Sequence, residues 1–222
     1  MKFMQMARFS RRALAVLLLP CSLARADVVA DWNAIALTTL STPDRDPAYV
    51  AHALATVHVA MFEVMNFIEG TYVPRFLVRP PAPVAGSGEG AAAAAAHYVL
   101  RELHPDRAAA LDAALERSLA SIGDPQQKAN ARVWGRHLGA NIYAIRSADV
   151  GGLAARPAPA TAAAGTSESL ASIAALNASV TKLIERKGLK PIDAARVHAQ
   201  TSMALSDAYA EPPAPGSLAA NE

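Results

Sequence analysis

The sequence predicts an all-α protein, a bundle of about six to seven helices. Alanine is the commonest residue in the chain, and it has the highest intrinsic helix propensity. The alternation of β-branched and polar residues that marks half-buried strands is scarce. Helix start and stop signals divide the chain into segments of helical length, so nearly all of it is expected to be helical.

Each predicted helix begins or ends at a residue suited to that position. The first covers about 27 to 40, with Asp27 and Asp31 in its opening turn, where the helix dipole favours acids. The second runs from about 47 to 69 and ends at Gly70, the position of a C-terminal cap. The other predicted helices are "EGAAAAAAHYVLREL", "DRAAALDAALERSLASI", Pro125 to about Arg146, "SLASIAALNASVTKLIERKG" capped by Gly188, and "PIDAARVHAQTSMALSDAYA" opened by Pro191.

The first 26 residues have the pattern of an export signal. "MKFMQMARFSRR" is a basic segment, "ALAVLLLPCSLA" is apolar, and "ARA" provides the small residues of a cleavage site. The apolar run is shorter than the roughly 20 residues of a membrane span. We therefore expect an exported protein, periplasmic or secreted, whose mature chain begins near Asp27 and has no transmembrane span.

Composition divides the remaining chain. We expect a helical domain at 27–147, a low-complexity linker rich in Ala, Gly and Pro at 148–168, and a helical hairpin at 169–210 that packs on the first part. Residues 211–222, "EPPAPGSLAANE", are expected to be a disordered tail.

Charge and cysteine content exclude several classes of function. Five of the 21 Lys and Arg residues lie in the signal, but none of the 19 Asp and Glu residues does, so residues 27–222 carry a formal net charge of −3. A nucleic acid is therefore not an expected partner, since its binding depends on clustered cations. The one cysteine, Cys21, lies in the signal, so the mature chain has neither a disulfide nor a thiolate ligand.

The second predicted helix contains the polar residues that most resemble a site. His58 lies at the edge of its apolar stripe, while His52 lies nearly opposite the centre of the stripe, and Glu63 points away from His58. This geometry gives no metal site, and His58 is predicted to be a hydrogen-bonded core residue. Asn66 is predicted to hold a neighbouring loop. The apolar stripe itself consists of Val50, Leu54, Val57, Met61, Val64, Met65 and Ile68.

Other polar motifs are interpreted as structural. "GSGEG" (86–90) lacks the Lys-Ser/Thr of a phosphate-binding loop and is expected to be a flexible lead into a helix. Asp44 and Asp46 are expected to initiate a turn. His104 is expected at the surface, and the sequence contains no GxSxG, HExxH or calcium-loop motif. Side chains without a partner motif are His97, His137 and His198, and the two tryptophans, Trp32 and Trp134, are expected to be packing anchors. No catalytic, cofactor-binding or metal residue is assigned.

Several local patterns follow one another in a familiar order. "DWNAIAL" is followed by "ALATVHVAMFEVMNFIEGTYVP", an alanine helix, "LDAALERSLASI", "GRHLGANIYAIRSAD" and "GLKPIDAARVHAQTSMALSDAYAE". This order resembles the N-terminal helical part of bacterial vanadium-dependent haloperoxidases of the phosphatidic acid phosphatase type 2 superfamily, over most of 30–147 and 170–210. The matching residues are Trp32, Asn33, Ile35, Ala36, Leu37, Ala53, Leu54, Val57, His58, Ala60, Met61, Asn66, Tyr72 and Pro74. The resemblance places His58 in a helical scaffold.

The oxyanion site of that family does not map onto this sequence. The family uses a Lys and an Arg before an "RP" pair, an "SGH" segment, and a later Arg with a His that bonds vanadium or attacks phosphorus. Here no "SGH" occurs, and neither Arg79-Pro80 nor Arg156-Pro157 follows a lysine at suitable range. Glu222 stands about where the family's catalytic half would begin. No cofactor is therefore expected in this chain, and vanadate is expected only if a complete family site exists.

Three hypotheses remain open at the level of sequence. The first is a truncated or non-catalytic scaffold that forms a homo-oligomer or docks a separately encoded catalytic half. The second is a haloperoxidase or acid phosphatase whose site is unrecognised or formed between subunits. The third is an unrelated periplasmic helical ligand-binding module whose apolar stripes line a groove. The candidates for a site under the second hypothesis are His58, Arg132, Arg136, His137 and His198.

Overall fold

The computed structural model describes residues 27–42, 45–78, 84–154 and 163–210, and the side chains of 148–154 and 163–167 are left out of the description. Within these ranges the regular elements are all helices and there is no strand, which confirms the predicted all-α class. The predicted signal (1–26) and tail (211–222) lie outside the described residues. The helices are α1 (Val28–Leu40), α2 (Pro47–Glu69), α3 (Gly88–Leu103), a 3₁₀ turn (Pro105–Arg107), α4 (Ala108–Ala120), α5 (Pro125–Ala154), α6 (Ala163–Lys187) and α7 (Pro191–Ala210).

Helix α2 is the centre of the bundle, with α3, α5 and α7 packed around it. It is buried around its whole circumference rather than along one stripe, so the predicted stripe was too narrow, and His52 is buried although it lies opposite that stripe. Among the described residues, α2 is the one helix long and apolar enough to cross a membrane. Its most apolar part has a mean hydropathy of 1.4 and is 89% buried inside the fold, and a core helix has the same properties.

The helix ends have capping residues, of which Gly70 and Gly188 were predicted as caps. Asp27 accepts a hydrogen bond from the Val29 amide at 3.0 Å and caps α1. Asp46, expected with Asp44 to initiate a turn, accepts from the Ala48 amide at 2.9 Å and caps α2, while Asp44 lies outside the described residues. Gly70 and Gly188 follow α2 and α6 with φ of 65° and 58°, the left-handed conformation that glycine adopts without strain.

Helices α3 and α5 approach each other closely because small residues line both surfaces. Residues 91–96 of α3 are all alanine and all buried. Gly135 of α5 lies so close to α3 that an added Cβ atom would be 2.4 Å from the Ala91 carbonyl oxygen. One turn later, a Cβ atom on Gly139 would lie 3.0 Å from the Ala95 Cα atom. The alanine run is therefore a packing surface as well as a helix-forming sequence.

Helix α5 continues to Ala154 and α6 begins at Ala163, so helix occupies both ends of the expected linker 148–168, and 155–162 lie outside the described residues. One prediction about this part of the chain is wrong. His104 is not at the surface but 6% exposed, because its ring packs edge-on against Tyr49 of α2. Burial, with the nearby Arg45 cation, lowers the pKa of His104.

Helices α6 and α7, joined by the short turn at 188–190 and called the α6–α7 hairpin below, both pack against α2. Gly188 ends α6, and α7 begins at Pro191, as predicted. Helix α7 packs extensively on α2, while α6 packs less extensively on α2 and α7. The buried apolar residues of α6 are Leu170, Ile173 and Ile184.

Candidate functional site

Buried polar side chains from four helices meet at His58, near the middle of α2. Asn33 comes from α1, Asn177 from α6 and Ser202 from α7, and each is less than one tenth exposed. A buried polar group without a hydrogen bond lowers stability, so such a cluster folds only if its members satisfy one another. Six residues make up this His58 network: Asn33, His58, Asn177, Thr181, His198 and Ser202.

The hydroxyl residues of the network are anchored on their own helices. Thr181 donates a hydrogen bond to the Asn177 carbonyl at 3.1 Å, and Ser202 donates one to the His198 carbonyl. A hydroxyl inside a helix commonly bonds the carbonyl four residues earlier, which fixes its rotamer. The two oxygen atoms are thereby held at the surfaces that α6 and α7 turn towards α1 and α2.

Hydrogen bonds at both ring nitrogens define the tautomer of His58. Its Nε2 atom lies 3.0 Å from Asn33 Oδ1, and its Nδ1 atom lies 2.9 Å from Ser202 Oγ. The Asn33 amide nitrogen donates to Asn177 Oδ1 at 2.6 Å and to Thr181 Oγ1 at 3.3 Å. Because the Asn33 oxygen can only accept, His58 Nε2 carries the ring hydrogen, and Nδ1 accepts from Ser202.

The hydroxyl hydrogen of Ser202 has two close acceptors, and a third, the Ala199 carbonyl oxygen, lies at 3.5 Å. Both His58 Nδ1 and the His198 carbonyl oxygen lie within hydrogen-bond distance of it, and a hydroxyl donates only one hydrogen. A protonated His58 would donate to Ser202 and free the hydroxyl for the carbonyl. Burial opposes the protonation of His58, so the Ser202 hydroxyl hydrogen is shared between His58 Nδ1 and the His198 carbonyl oxygen.

The two histidines of the network are both neutral at pH 7. Burial, and then the neighbouring His198, hold the pKa of His58 well below its usual value. Burial lowers the pKa of His198 to about 4, although the Asp27 carboxylate acts in the opposite direction. The two rings lie 4.9 Å apart between centroids, tilted by 40°, a contact that neutral rings make favourably and two imidazolium ions would not.

Ser202, His58 and Asn33 stand in the order hydroxyl, imidazole, amide, which is also the order used in nucleophilic catalysis. A nucleophile must however meet a substrate, and Ser202 is 3% exposed and His58 1%. The cavity beside them, between α6 and α7, has a volume of about 10 Å³, enough for one water molecule. In this conformation the arrangement can hold helices together but cannot admit a substrate.

Polar contacts continue along the interface of α2 and α7. His52 Nδ1 lies 2.9 Å from Ser206 Oγ, one helical turn beyond Ser202. Thr56 donates to the His52 carbonyl at 2.9 Å, and Arg146 of α5 donates to Thr56 Oγ1 at 3.1 Å. These bonds extend the polar core from α7 through α2 to α5.

The loop after α2 is held by buried side chains of α2. Asn66 donates to the Tyr72 carbonyl at 2.9 Å and accepts from the Tyr72 amide at 2.7 Å, which confirms the role predicted for it. The Glu63 carboxylate, 1% exposed, accepts from the backbone amides of residues 75, 76 and 77 at 3.1 to 3.3 Å. Tyr72 also donates to the Asp193 carboxylate of α7. Loop 70–78 is therefore fixed to both α2 and α7.

The structure brings together two of the five candidate residues of the enzyme hypothesis, His58 and His198. His137 and Arg136 are exposed on α5. Arg132 makes two hydrogen bonds with Glu116 of α4, at 2.8 and 3.0 Å. The other side chains singled out in the sequence also have structural contacts: His97 bonds Asp112 at 2.7 Å, Trp32 bonds Ser118 at 3.0 Å, and Trp134 packs on Phe67.

Sequence reasoning missed the partners of His58 on α6 and α7. A signal was present on α7, where His198, Ser202 and Ser206 are spaced by four residues and so lie on one face. On α6, Asn177 and Thr181 have the same spacing. Polar residues at this spacing on two neighbouring helices indicate a polar helix–helix interface. The sequence does not show which residues of the other helices face them.

A cleft of about 1080 Å³ opens between α1, α4 and the first turns of α3 and α5. The charged residues that line it are the carboxylates Asp31, Glu89 and Asp124 and one guanidinium, Arg117. This balance of charge disfavours a phosphate or vanadate anion, which needs an excess of cations and amide donors.

No group of three or more His, Cys, Asp or Glu side chains is placed to hold a metal ion within the part of the chain that the structure describes. Comparison of the chain with protein-family models, curated proteins and solved structures finds no match.

Proposed function

We propose that this chain is a non-catalytic helical scaffold, similar to the N-terminal part of vanadium haloperoxidases and type 2 acid phosphatases, that works by binding another polypeptide. The partner is a separately encoded catalytic half or a second copy of the chain. The basic, apolar and small-residue segments of 1–26 support export to the periplasm or beyond.

The closed His58 network is the observation that carries the scaffold proposal. Its buried residues belong to α1, α2, α6 and α7, and the hydrogen bonds of His58 and Asn33 run to other members of the network. A buried network of this kind specifies how helices dock, because misaligned helices would leave its polar groups unsatisfied. A binding site, by contrast, directs hydrogen-bond donors or acceptors towards a ligand.

The distribution of charge supports the absence of an oxyanion site. Two of the arginines nearest the acidic residues of α4 are already paired, Arg132 with Glu116 and Arg101 with Asp112 at 3.0 Å. The large cleft carries more carboxylates than cations. Vanadate or phosphate would therefore meet little compensating charge in this cleft.

Calorimetric titration of the full chain with orthovanadate at neutral pH tests the proposal. We expect no saturable heat at millimolar anion, with or without phosphate present. Saturable binding that phosphate competes away would contradict the scaffold proposal and favour the enzyme hypothesis.

A hydrolase is the second candidate function, favoured by the Ser202–His58–Asn33 order alone. Ser202→Ala removes the hydroxyl and introduces a residue that favours helix, so the two functions predict different results. If the chain is a scaffold, the variant is less stable than the wild type, and neither protein hydrolyses esters or phosphate esters. A hydrolase shows turnover in the wild-type chain that the Ser202→Ala variant lacks.

A further inference from the structure

Two buried imidazole rings face each other across the interface of α2 and α7. His58 of α2 and His198 of α7 are 1% and 2% exposed, with centroids 4.9 Å apart. Helix α7 makes its most extensive contacts with α2, so this pair lies in the contact that attaches the α6–α7 hairpin to the bundle. A positive charge on either ring would be buried, and charges on both would repel each other.

The groups that pack around the pair offer little compensation for a positive charge. From α1, Asn33 is neutral, and Asp27 at the helix start is the carboxylate that acts on His198. From α6, the Asn177 amide and the Thr181 hydroxyl are neutral.

The other elements add no second carboxylate beside the rings. On α7 the neighbouring polar side chains are Ser202 and Ser206, both hydroxyls. On α2 the next titratable group is His52, bonded to Ser206, and α5 contributes the cation Arg146 at Thr56. Asp27 is thus the one carboxylate that opposes the build-up of positive charge among the groups described around the pair.

A small cavity lies beside the histidine pair, where the hairpin packs on α2. It has a volume of about 10 Å³ and lies between α6 and α7, with Asn177, His198 and Ser202 among its lining residues. A space of this size admits single water molecules, which can carry protons to His198.

We propose that the α6–α7 hairpin is an acid-released element, in which protonation of His58 and His198 separates α7 from α2 while the α1–α5 part stays folded. This conformational device goes beyond the proposed scaffold function, because it makes the exposure of one face of the scaffold depend on pH. The α3–α5 contact supports the persistence of the rest, since alanine and glycine line its closest approach. The buried His104 after α3 also has a lowered pKa, so a smaller loss of protection is expected in acid where it packs on Tyr49 of α2.

The sign of the effect follows from proton linkage. Burial lowers the pKa of both rings in the closed state, to about 4 for His198, so the open state binds the additional protons. Opening is then favoured as pH falls below about 6.5, the usual histidine pKa, and the gain ends where the closed state protonates too. Each histidine raises the opening constant by about tenfold per pH unit in that range, and the pair by about 100-fold.

Hydrogen exchange read by mass spectrometry on the full chain, from pH 7 to pH 4.5, tests the release. After correction for the intrinsic exchange rate, protection factors of α7 peptides are expected to fall by up to about 100-fold per pH unit, while those of α3 and α5 fall much less. An equal loss in all helices would mean global acid unfolding, and unchanged α7 protection would mean no switch; either result overturns the proposal.

The variant His198→Gln separates the histidine effect from general acid sensitivity. Glutamine keeps a polar side chain but does not titrate, so the slope of α7 protection is expected to drop to about tenfold per pH unit. His137→Gln is the matched control, because His137 is exposed on α5, and it is expected to keep the wild-type slope. An unchanged slope in His198→Gln overturns the proposal.

NMR titration of the wild-type histidines gives a second readout if His198→Gln does not fold. The proposal expects the His198 ring signal to change at the pH where α7 loses protection. A His198 ring that titrates near pH 6.5 while α7 stays protected would overturn it.

Discussion

Replacing Asn33 by alanine removes the side chain that joins α1 to α2 and α6. The Nε2 hydrogen of His58 would lose its acceptor, and the Asn177 oxygen would lose its donor. A buried group left without its hydrogen bond costs about 1–3 kcal/mol, so two such groups cost about 4 kcal/mol. That loss is a large part of the stability of a domain, which is typically about 5–15 kcal/mol.

Urea unfolding followed by far-UV circular dichroism measures this loss in Asn33→Ala. Thr38→Ala is the matched control on the same helix, because Thr38 is exposed and bonds only the carbonyl four residues earlier. The control is expected to change the free energy of unfolding by about 0.5 kcal/mol or less. A loss below about 1 kcal/mol in Asn33→Ala, or equal losses in the two variants, would refute the structural role of the network.

Three further changes have expected outcomes. Gly135→Ala places a Cβ atom 2.4 Å from a carbonyl oxygen of α3 and is expected to lower the free energy of unfolding by about 1–3 kcal/mol; Gly123→Ala, with no atom within 4 Å of its new Cβ, is expected to be neutral or slightly stabilising in the same urea assay. Glu63→Gln replaces the carboxylate that accepts the loop amides, so trypsin is expected to cleave loop 70–78 faster than in the wild type. Folding lowers the pKa of His198 from 6.5 to about 4, so the free energy of unfolding is highest above pH 6.5 and is expected to fall by about 3 kcal/mol between pH 6.5 and pH 4. Urea unfolding at a series of pH values measures this fall, and a pH-independent free energy of unfolding would contradict it.

Local signals in the sequence were sufficient to predict where most of the helices begin and end. The caps Gly70 and Gly188, the acidic Asp27 at the start of α1 and the opening prolines act within a few residues, so their effect can be predicted without knowledge of the fold. Composition is a weaker guide to the expected linker 148–168. Its alanines favour helix whereas its glycines and prolines oppose it, and an average over the segment does not locate the helix ends.

The His58 network is formed by residues that are distant in the sequence. The spacing of apolar residues along one helix does not predict which residues of other helices they contact. A hydrogen-bonded core position for His58 follows from the edge of an apolar stripe, but its partners lie 25 and 144 residues away. His104 was misplaced because the residue after a helix is usually exposed, whereas here Tyr49 covers it. The width of the buried face of α2 also depends on how many helices surround it, which no single helix encodes.

NMR of the His58 ring nitrogens tests most directly whether the His58 network holds helices together and binds no ligand. At pH 7 the ring is expected to be neutral, with its hydrogen on Nε2, and its chemical shifts are expected to stay unchanged as phosphate or orthovanadate is added to millimolar concentration. A protonated ring, or shifts that move with the anion until they saturate, would show that His58 belongs to a ligand site and would contradict the scaffold interpretation.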